Sequence, residues 1–468
     1  MSGAPRDVRP WLVALGGYGV LALHAFADPR PPAGVWGVVG VLALSPPVKW
    51  TVLLVAALLL TPPAGRAVIR AFGRTARRLA GALGFVPAWV WIALLLAIAW
   101  SLRSRTYYGD ALATVDALHA GQVINTKEPF DRLITAAVYR LGHAVTGWDA
   151  GTAIALVSTL AGATYWAGVL RLARAWPLSV GQVWPVWGLL GSCGAVALFF
   201  GHVENYSLLT AGTLWSLVLA LEAVQDRGRS LVPAALATGV TVATHLSAVW
   251  LAGALPVAWW SRWRPGGGGG RGIWRPALRE CGLGTLAALA PLAAAAAAVA
   301  AAGEPLAGFS LTTFGGGDGR LFVPLWSIET AYERVTMFSA AHLAAFANEV
   351  LLVAPAGAVL ALLVPFGRRA DGRKTDAGTW VLLAATLGTL AYAFLFNPDM
   401  AAVAPHLGAL NEWDLFAFLA VPLTMAGLWW LRTAMEPGLE RDALVLGVVA
   451  LSVAHTLPWV LHNAGVRF

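Results

Sequence analysis

Runs of apolar residues long enough to cross a lipid bilayer recur from one end of this 468-residue chain to the other. A helix rises about 1.5 Å per residue, so roughly 20 apolar residues span a hydrocarbon core about 30 Å thick. Hydrophobic residues make up 58% of the chain and charged residues only 12%, whereas an average soluble protein is about 25% charged. These features exclude a soluble globular domain and predict an all-α, polytopic membrane helix bundle.

The apolar runs predict about thirteen transmembrane helices. The second run is too long for a straight span and contains Pro46 and Pro47, which predict one helix broken at the proline pair. The seventh and eighth runs are short and are separated by a turn at Thr244-His245-Leu246. The predicted spans are 10–27, 34–62, 83–102, 150–170, 182–200, 205–224, 231–244, 246–260, 282–302, 343–366, 377–396, 413–432 and 442–461.

The charges between the spans predict the orientation of the chain. With the N-terminus in the cytoplasm, 22 of the 32 basic residues fall in cytoplasmic segments, and 15 of the 24 acidic residues fall in outer segments. Cytoplasmic loops of membrane proteins are enriched in lysine and arginine. The basic residues are therefore interpreted as topology signals, and no nucleic-acid partner is expected.

The long connections divide the chain into two predicted regions. The first, 1–82, is an N-terminal transmembrane hairpin followed by a basic cytoplasmic linker, and the second, 83–468, is the core. Three outer loops of the core are predicted, at 103–149, 303–342 and 397–413.

An amphipathic pattern in the first long outer loop predicts a further helix. Over residues 131–145, Ile134, Val138, Leu141 and Val145 share one helical face. Such a stretch is typical of a helix lying in the plane of the membrane interface. We therefore expect an interfacial amphipathic helix on the outer leaflet.

Ionised side chains close to lipid are costly and are read first as functional. Asp110 follows the third span and two tyrosines, which prefer the membrane interface, so it is expected just outside the bilayer. It is the candidate catalytic residue. The alternative, an ordinary helix N-cap ahead of residues 111–113, remains open at this point.

Further polar residues are predicted at the same outer face and are candidate substrate-binding residues. Some lie in the short turn between the fifth and sixth spans, one follows the seventh span, and others surround the start of the twelfth. Two arginines in the second long outer loop are candidates for holding a phosphate. The full set is His202, Glu204, Asn205, His245, Arg320, Arg334, His406, Glu412 and Asp414. Solvated loop charges and helix caps are the structural alternatives for these positions.

These features together resemble the integral-membrane C-type glycosyltransferases. The resemblance rests on Gly109-Asp110 near the start of the first outer loop of the core, the interfacial helix after it, and the short reversed spans over 231–260. It departs from the simplest family pattern in two extra spans, 10–62, and in lacking a paired Asp-Glu at Asp110. The resemblance implies a polyprenyl-phosphate-linked sugar as donor, membrane lipid as a partner, and a glycan, lipid or protein as acceptor.

A mechanism follows as a hypothesis. Asp110 is expected to act as general base in one inverting displacement, in a bacterial plasma-membrane protein whose active site faces the non-cytoplasmic side. No cofactor is expected, although a divalent metal bridging Asp110, Glu204 and His202 is an alternative. The main rival function is a polytopic secondary transporter or lipid flippase without transferase activity.

Overall fold

The computed structural model describes residues 8–31, 33–83, 86–176, 184–226, 228–263, 274–305, 321–330, 333, 335–362, 376–396 and 408–468. Within these ranges the chain forms eighteen α-helices, short 3-10 helices and turns, and its β-structure is limited to one bridge between Phe322 and Phe396. The helices are α1 Arg9–Phe26, α2 Pro46–Leu60, α3 Pro62–Leu83, α4 Ala88–Ser101, α5 Ala111–His119, α6 Pro129–Thr146, α7 Ala150–Ala175, α8 Trp184–Leu190, α9 Ser207–Gln225, α10 Val232–Thr244, α11 Ala254–Trp263, α12 Trp274–Ala301, α13 Ala340–Val353, α14 Pro355–Ala361, α15 Ala377–Leu395, α16 Trp413–Phe416, α17 Ala420–Ala434 and α18 Leu439–Asn463.

The prediction of a polytopic helical membrane protein is confirmed. Among the described residues, six helical segments are long and apolar enough to cross a membrane, and the number reaches eight if each of two bent helix pairs counts as one span. The predicted number of thirteen spans is not confirmed. Several predicted spans consist of two short pieces, because a 3-10 turn or a sharp bend interrupts the α-helix.

Two of these interruptions fall at prolines. Helices α2 and α3 meet at 89°, and α13 and α14 meet at 104°. Proline lacks a backbone N–H and disfavours a helical residue before it, and Pro62 and Pro355 each begin the second helix of a pair. The basic segment predicted as a linker after the second span is therefore helical over α3, where Arg66 binds Glu440 at 2.8 Å.

The helices give the bundle two chemically different ends. Helices α7 and α9 begin at one end, where the Ser158 hydroxyl donates to the carbonyl of His202 at 2.7 Å. They finish together at the other, where Arg171 binds Glu222. Helix α18 runs in the opposite sense and finishes at the first end, where the Tyr108 hydroxyl donates to Asn463. We refer to the end that holds Asp110 and Glu204 as the acidic end and the other as the basic end.

Helix α6 lies at the acidic end and confirms the predicted amphipathic helix. Its Asp131 and Arg132 are 3% exposed, whereas Leu141 and Val145 are 69% and 73% exposed. The charged side chains at the start of α6 are thus turned toward the protein, and Leu141 and Val145 are turned away from it. This is the polarity expected of a helix whose outer face contacts lipid.

Candidate active site

Gly109 forms the turn that presents Asp110. Its φ of +50° is left-handed, a conformation that glycine adopts without steric cost. The Gly109 N–H donates to the Asn411 side-chain oxygen at 3.2 Å, and a Cβ at this position would lie 3.1 Å from Glu204 Oε1. The residue before Asp110 is therefore constrained both by its backbone and by the carboxyl group that it faces.

Asp110 stands at the N-cap position of α5 and is exposed. Within the described residues, however, its side chain makes no capping hydrogen bond to that helix. The alternative interpretation of Asp110 as an ordinary cap is not supported by this geometry. The Asp110 carboxylate lies close enough to Glu128 and Glu204 for its charge to raise the pKa of both.

His202 and Asp414 form a buried pair between segments 212 residues apart in the sequence. His202 Nε2 lies 2.6 Å from Asp414 Oδ2, and both side chains are 1% exposed. Asp414 Oδ1 accepts the N–H of Leu415 at 3.0 Å. The pair connects the turn before α9 to the start of α16 and thereby fixes one wall of the acidic end.

Glu204 is 3% exposed, and its Oε1 has no hydrogen-bond partner among the described residues. Burial raises the pKa of this carboxyl well above its usual range, and nearby Asp414, Asp110, Glu128 and Glu412 raise it further. A carboxyl group in such surroundings favours its neutral form. Glu204 thus offers an O–H donor beside Asp110.

Glu128 precedes α6 and gathers several partners. Asn205 donates a hydrogen bond to Glu128 Oε2, and Arg132 Nη2 lies 3.8 Å from the same oxygen. Burial raises the pKa of Glu128 to about 7, although Arg132 opposes the shift, and Asp110 adds to it. Glu128 therefore titrates near neutral pH within the acidic end.

His245 closes this side of the site. Its Nδ1 accepts the N–H of Ser247 at 3.2 Å, which leaves Nε2 as the protonated nitrogen of the neutral ring. Nε2 faces Glu128 Oε1 at 4.0 Å. Burial, with a smaller contribution from Lys127, lowers the pKa of His245 to about 3, so the ring is neutral at physiological pH.

The structure brings six of the sequence-predicted residues together with Asp110: His202, Glu204, Asn205, His245, Glu412 and Asp414. Asn411 links the set, since its Nδ2 donates to Glu412 Oε1 at 3.2 Å and its oxygen accepts from Gly109. Arg320, Arg334 and His406 lie outside the described residues. We call Asp110, Glu128, Glu204, Glu412 and Asp414 the acidic cluster.

Sequence reasoning did not include Glu128 or Glu349 among the site residues. Pro129 begins α6, and proline at the first helical position is a start signal that could have placed Glu128 at a turn facing the cluster. Glu349 lies in α13, is 3% exposed, and its charge interacts with Asp414 and Glu412. Neither of its oxygens has a hydrogen-bond partner among the described residues.

The chemistry available at the acidic end is that of carboxyl groups in unlike environments. Asp110 is exposed, whereas burial and neighbouring carboxylates drive Glu204 toward its neutral form. Pairs of carboxyl groups whose environments separate their pKa values supply a base and a hydrogen-bond donor in one site. Within the described residues, no group of three His, Cys, Asp or Glu side chains has the geometry of a metal site, and the metal alternative stays a prediction.

No family model matches the chain, and no curated protein sequence matches it significantly. Two solved structures are similar to it. The crystal structure of ArnT from Cupriavidus metallidurans bound to undecaprenyl phosphate is 13% identical, with a TM-score of 0.47, over 82% of this chain and 78% of that one. The apo structure of the same protein is 16% identical, with a TM-score of 0.42 over the same shares.

The first of these structures holds undecaprenyl phosphate. At these identities and TM-scores, residue roles and activity depend on the site itself.

Proposed function

We propose that this chain is a membrane glycosyltransferase that moves a sugar from a polyprenyl-phosphate donor to an acceptor glycan, lipid or protein. The observation that supports this most strongly is the exposed carboxylate of Asp110 at the edge of a buried acidic cluster. The Gly109 turn presents this carboxylate, and helix capping does not engage it. We further propose that the site lies on the non-cytoplasmic face of a bacterial plasma membrane; the charge asymmetry of the loops supports this face.

The proposed reaction is a single displacement with Asp110 as general base. The carboxylate accepts the proton of an acceptor hydroxyl as that oxygen forms a bond to the anomeric carbon of the sugar. The bond between the anomeric carbon and the donor phosphate oxygen breaks, and polyprenyl phosphate leaves with the bonding electron pair. Attack from the face opposite the leaving group inverts the anomeric centre.

The neighbouring carboxyl groups support a division of roles. A neutral Glu204 adds no second negative charge beside Asp110. Glu204, Asn205 and His245 are the proposed partners of the sugar hydroxyls, with Glu412 and Asp414 completing the wall. Such fixed hydrogen-bonding groups orient a substrate for reaction.

The leaving phosphate needs a cation. Arg320 and Arg334 are the sequence candidates for this part of the site. Among the described residues, Lys127 is half-buried beside His245, and the N–H of Leu246 donates to its carbonyl at 3.0 Å. A positive charge at the departing oxygen stabilises the charge that develops in the transition state.

An apolar groove offers a place for the isoprenoid tail. It has a volume of about 610 Å³ and lies between α1 and the bent pair α13 and α14, with Gly16, Leu23, Ala344 and Val359 among its lining. Helix α13 also carries Glu349, whose charge interacts with Asp414 and Glu412. The same helix therefore connects the lipid-compatible groove to the acidic cluster.

The test is transfer by the purified full-length protein with a synthetic polyprenyl-phosphate sugar as donor and extracted membrane lipids as acceptors. Asp110→Asn keeps the size of the side chain and removes the base, so we expect turnover to fall by about 10²- to 10⁴-fold. Asp116→Asn is the matched control, because Asp116 is exposed on the same short helix. Equal turnover by wild type and Asp110→Asn would refute the assigned base, and loss of activity on adding EDTA would favour the metal alternative.

The second candidate function, a transporter or lipid flippase, is favoured by one observation. Glu349 is a buried carboxyl on a helix pair bent by 104°, and transporters place ionisable groups on broken helices. Proteoliposomes with a fluorescent polyprenyl-phosphate lipid separate the two functions. Flipping of the lipid without any sugar transfer would replace the transferase proposal by this one.

A further inference from the structure

A second pocket opens at the basic end, far from the acidic cluster along the length of α7 and α9. It has a volume of about 610 Å³ and is lined by α4, α7, the last turns of α9 and the residue Arg229. The proposed reaction uses none of these residues.

Three guanidinium groups and one carboxylate line this pocket, which leaves an excess of positive charge. Arg171 binds Glu222 through two hydrogen bonds, each 2.7 Å long. Arg229 also donates to Glu222 and lies 3.4 Å from Asp226, outside the pocket lining. Arg174 lines the same pocket and has no ion-pair partner among the described residues. The single carboxylate is therefore shared by two arginines, while the third presents its charge to the pocket.

The other half of the lining is apolar. Ala88 and Ile92 of α4 face Ala167 and Leu170 of α7 across the pocket. The guanidinium of Arg171 lies 5.5 Å from the ring centre of Trp215, and tryptophan is enriched where a membrane protein meets the headgroup layer. Apolar side chains thus lie directly beside the arginines in the pocket lining.

From this juxtaposition we infer that the basic pocket binds an anionic glycerophospholipid. The phosphate is held by Arg174 and Arg229, and one acyl chain lies between α4 and α7. Planar guanidinium groups suit phosphate oxygens, and basic pockets between transmembrane helices are suited to anionic headgroups. An anionic lipid satisfies both halves of the lining, whereas a free phosphate would use only the arginines.

The inference is tested with the purified full-length protein in detergent, by native mass spectrometry and by thermal unfolding. The probes are phosphatidylglycerol, phosphatidylcholine and inorganic phosphate, each titrated separately. We expect phosphatidylglycerol to bind and to raise the unfolding temperature more than phosphatidylcholine does. Removing one charge with Arg174→Gln should weaken this binding by about fivefold, as expected for one basic residue at a lipid surface.

Two further variants make the outcome decisive. Arg279→Gln removes an exposed arginine of α12 that lies outside the pocket and should leave phosphatidylglycerol binding unchanged. Ala167→Phe fills the apolar half and should abolish lipid binding while sparing any binding of inorganic phosphate. Equal losses in Arg174→Gln and Arg279→Gln, or lipid binding that survives Ala167→Phe, would overturn the inference. Binding of inorganic phosphate alone would overturn it too.

Discussion

The two ends of the bundle handle charge in opposite ways. At the basic end two partly buried carboxylates are matched by arginine: Glu222 binds Arg171 and Arg229, and Glu280 binds Arg262 at 3.1 Å. At the acidic end five carboxyl groups gather around two histidines, His202 and His245, and one arginine, Arg132, which lies 3.8 Å from Glu128. Charges are thus neutralised locally at one end and accumulate at the other.

This difference between the two ends distinguishes ion pairs that connect helices from carboxyl groups that form a candidate functional site. Matched ion pairs near a surface contribute little stability each and serve chiefly to connect helices. A group of like charges in a buried place is unfavourable for folding, so its persistence indicates a role outside stability. The negative charge that accumulates at the acidic end is the feature on which the proposed transferase site rests.

The largest effect on stability is expected from breaking the pair that fixes the acidic end. Asp414→Leu leaves His202 buried with its Nε2–H unpaired, so we expect the free energy of unfolding to fall by about 3 kcal/mol. Asp414→Asn, which keeps an acceptor oxygen, should cost clearly less. Thermal unfolding of both variants in detergent measures this difference, and equal costs would show that the hydrogen bond does not hold the wall together.

A pH dependence of stability is the next largest expectation. The pKa of Glu128 is raised by burial to about 7 from a usual 4.5, so the folded state holds this proton more tightly than the unfolded chain does. The resulting stabilisation is complete below about pH 4.5 and is lost as the pH rises through 7. Unfolding temperatures measured from pH 5 to 8 should therefore decline, and Glu128→Gln should flatten the decline. If Glu128→Gln shows the same decline of unfolding temperature with pH as the wild type, Glu128 is not the group whose titration causes that decline.

The smallest effect is expected at the basic end. The Arg229 side chain is 53% exposed, and Arg171 still binds Glu222 through two hydrogen bonds if Arg229 is removed. Arg229→Gln should therefore lower the free energy of unfolding by less than about 1 kcal/mol. If Arg229→Gln lowers the free energy of unfolding as much as Asp414→Leu does in the same assay, the two ends do not differ in how charge contributes to stability.

The helices could be predicted from the sequence because their signal is local. Apolar runs and prolines locate α7, α9, α15 and α18 within a few residues of their observed ends. The bends were harder to predict, because the apolar run continues through the break in the helix. In a membrane protein such a break is accommodated by the neighbouring helices. Pro355 was the available signal for the 104° bend after α13.

The meeting of distant residues was only partly predictable. The loop charges assigned Asp110, Glu204 and Asp414 to one end, as they are found. Local sequence does not encode which of them pair, and the contact between His202 and Asp414 depends on how α9 and α16 are placed by the packed helices between them. The buried Glu349 was not among the site residues predicted from the sequence.

Helix α6 has a consequence for the depth at which the chain sits in its bilayer. Leu141 and Val145 point away from the protein and Asp131 points toward it. The apolar face of this helix is therefore removed from water only when the helix lies at the boundary between headgroups and acyl chains. Glu128 is the residue immediately before α6 and therefore lies at the same depth in the membrane. The lipid-borne phosphate of the proposed donor therefore reaches the carboxyl groups without leaving its own leaflet.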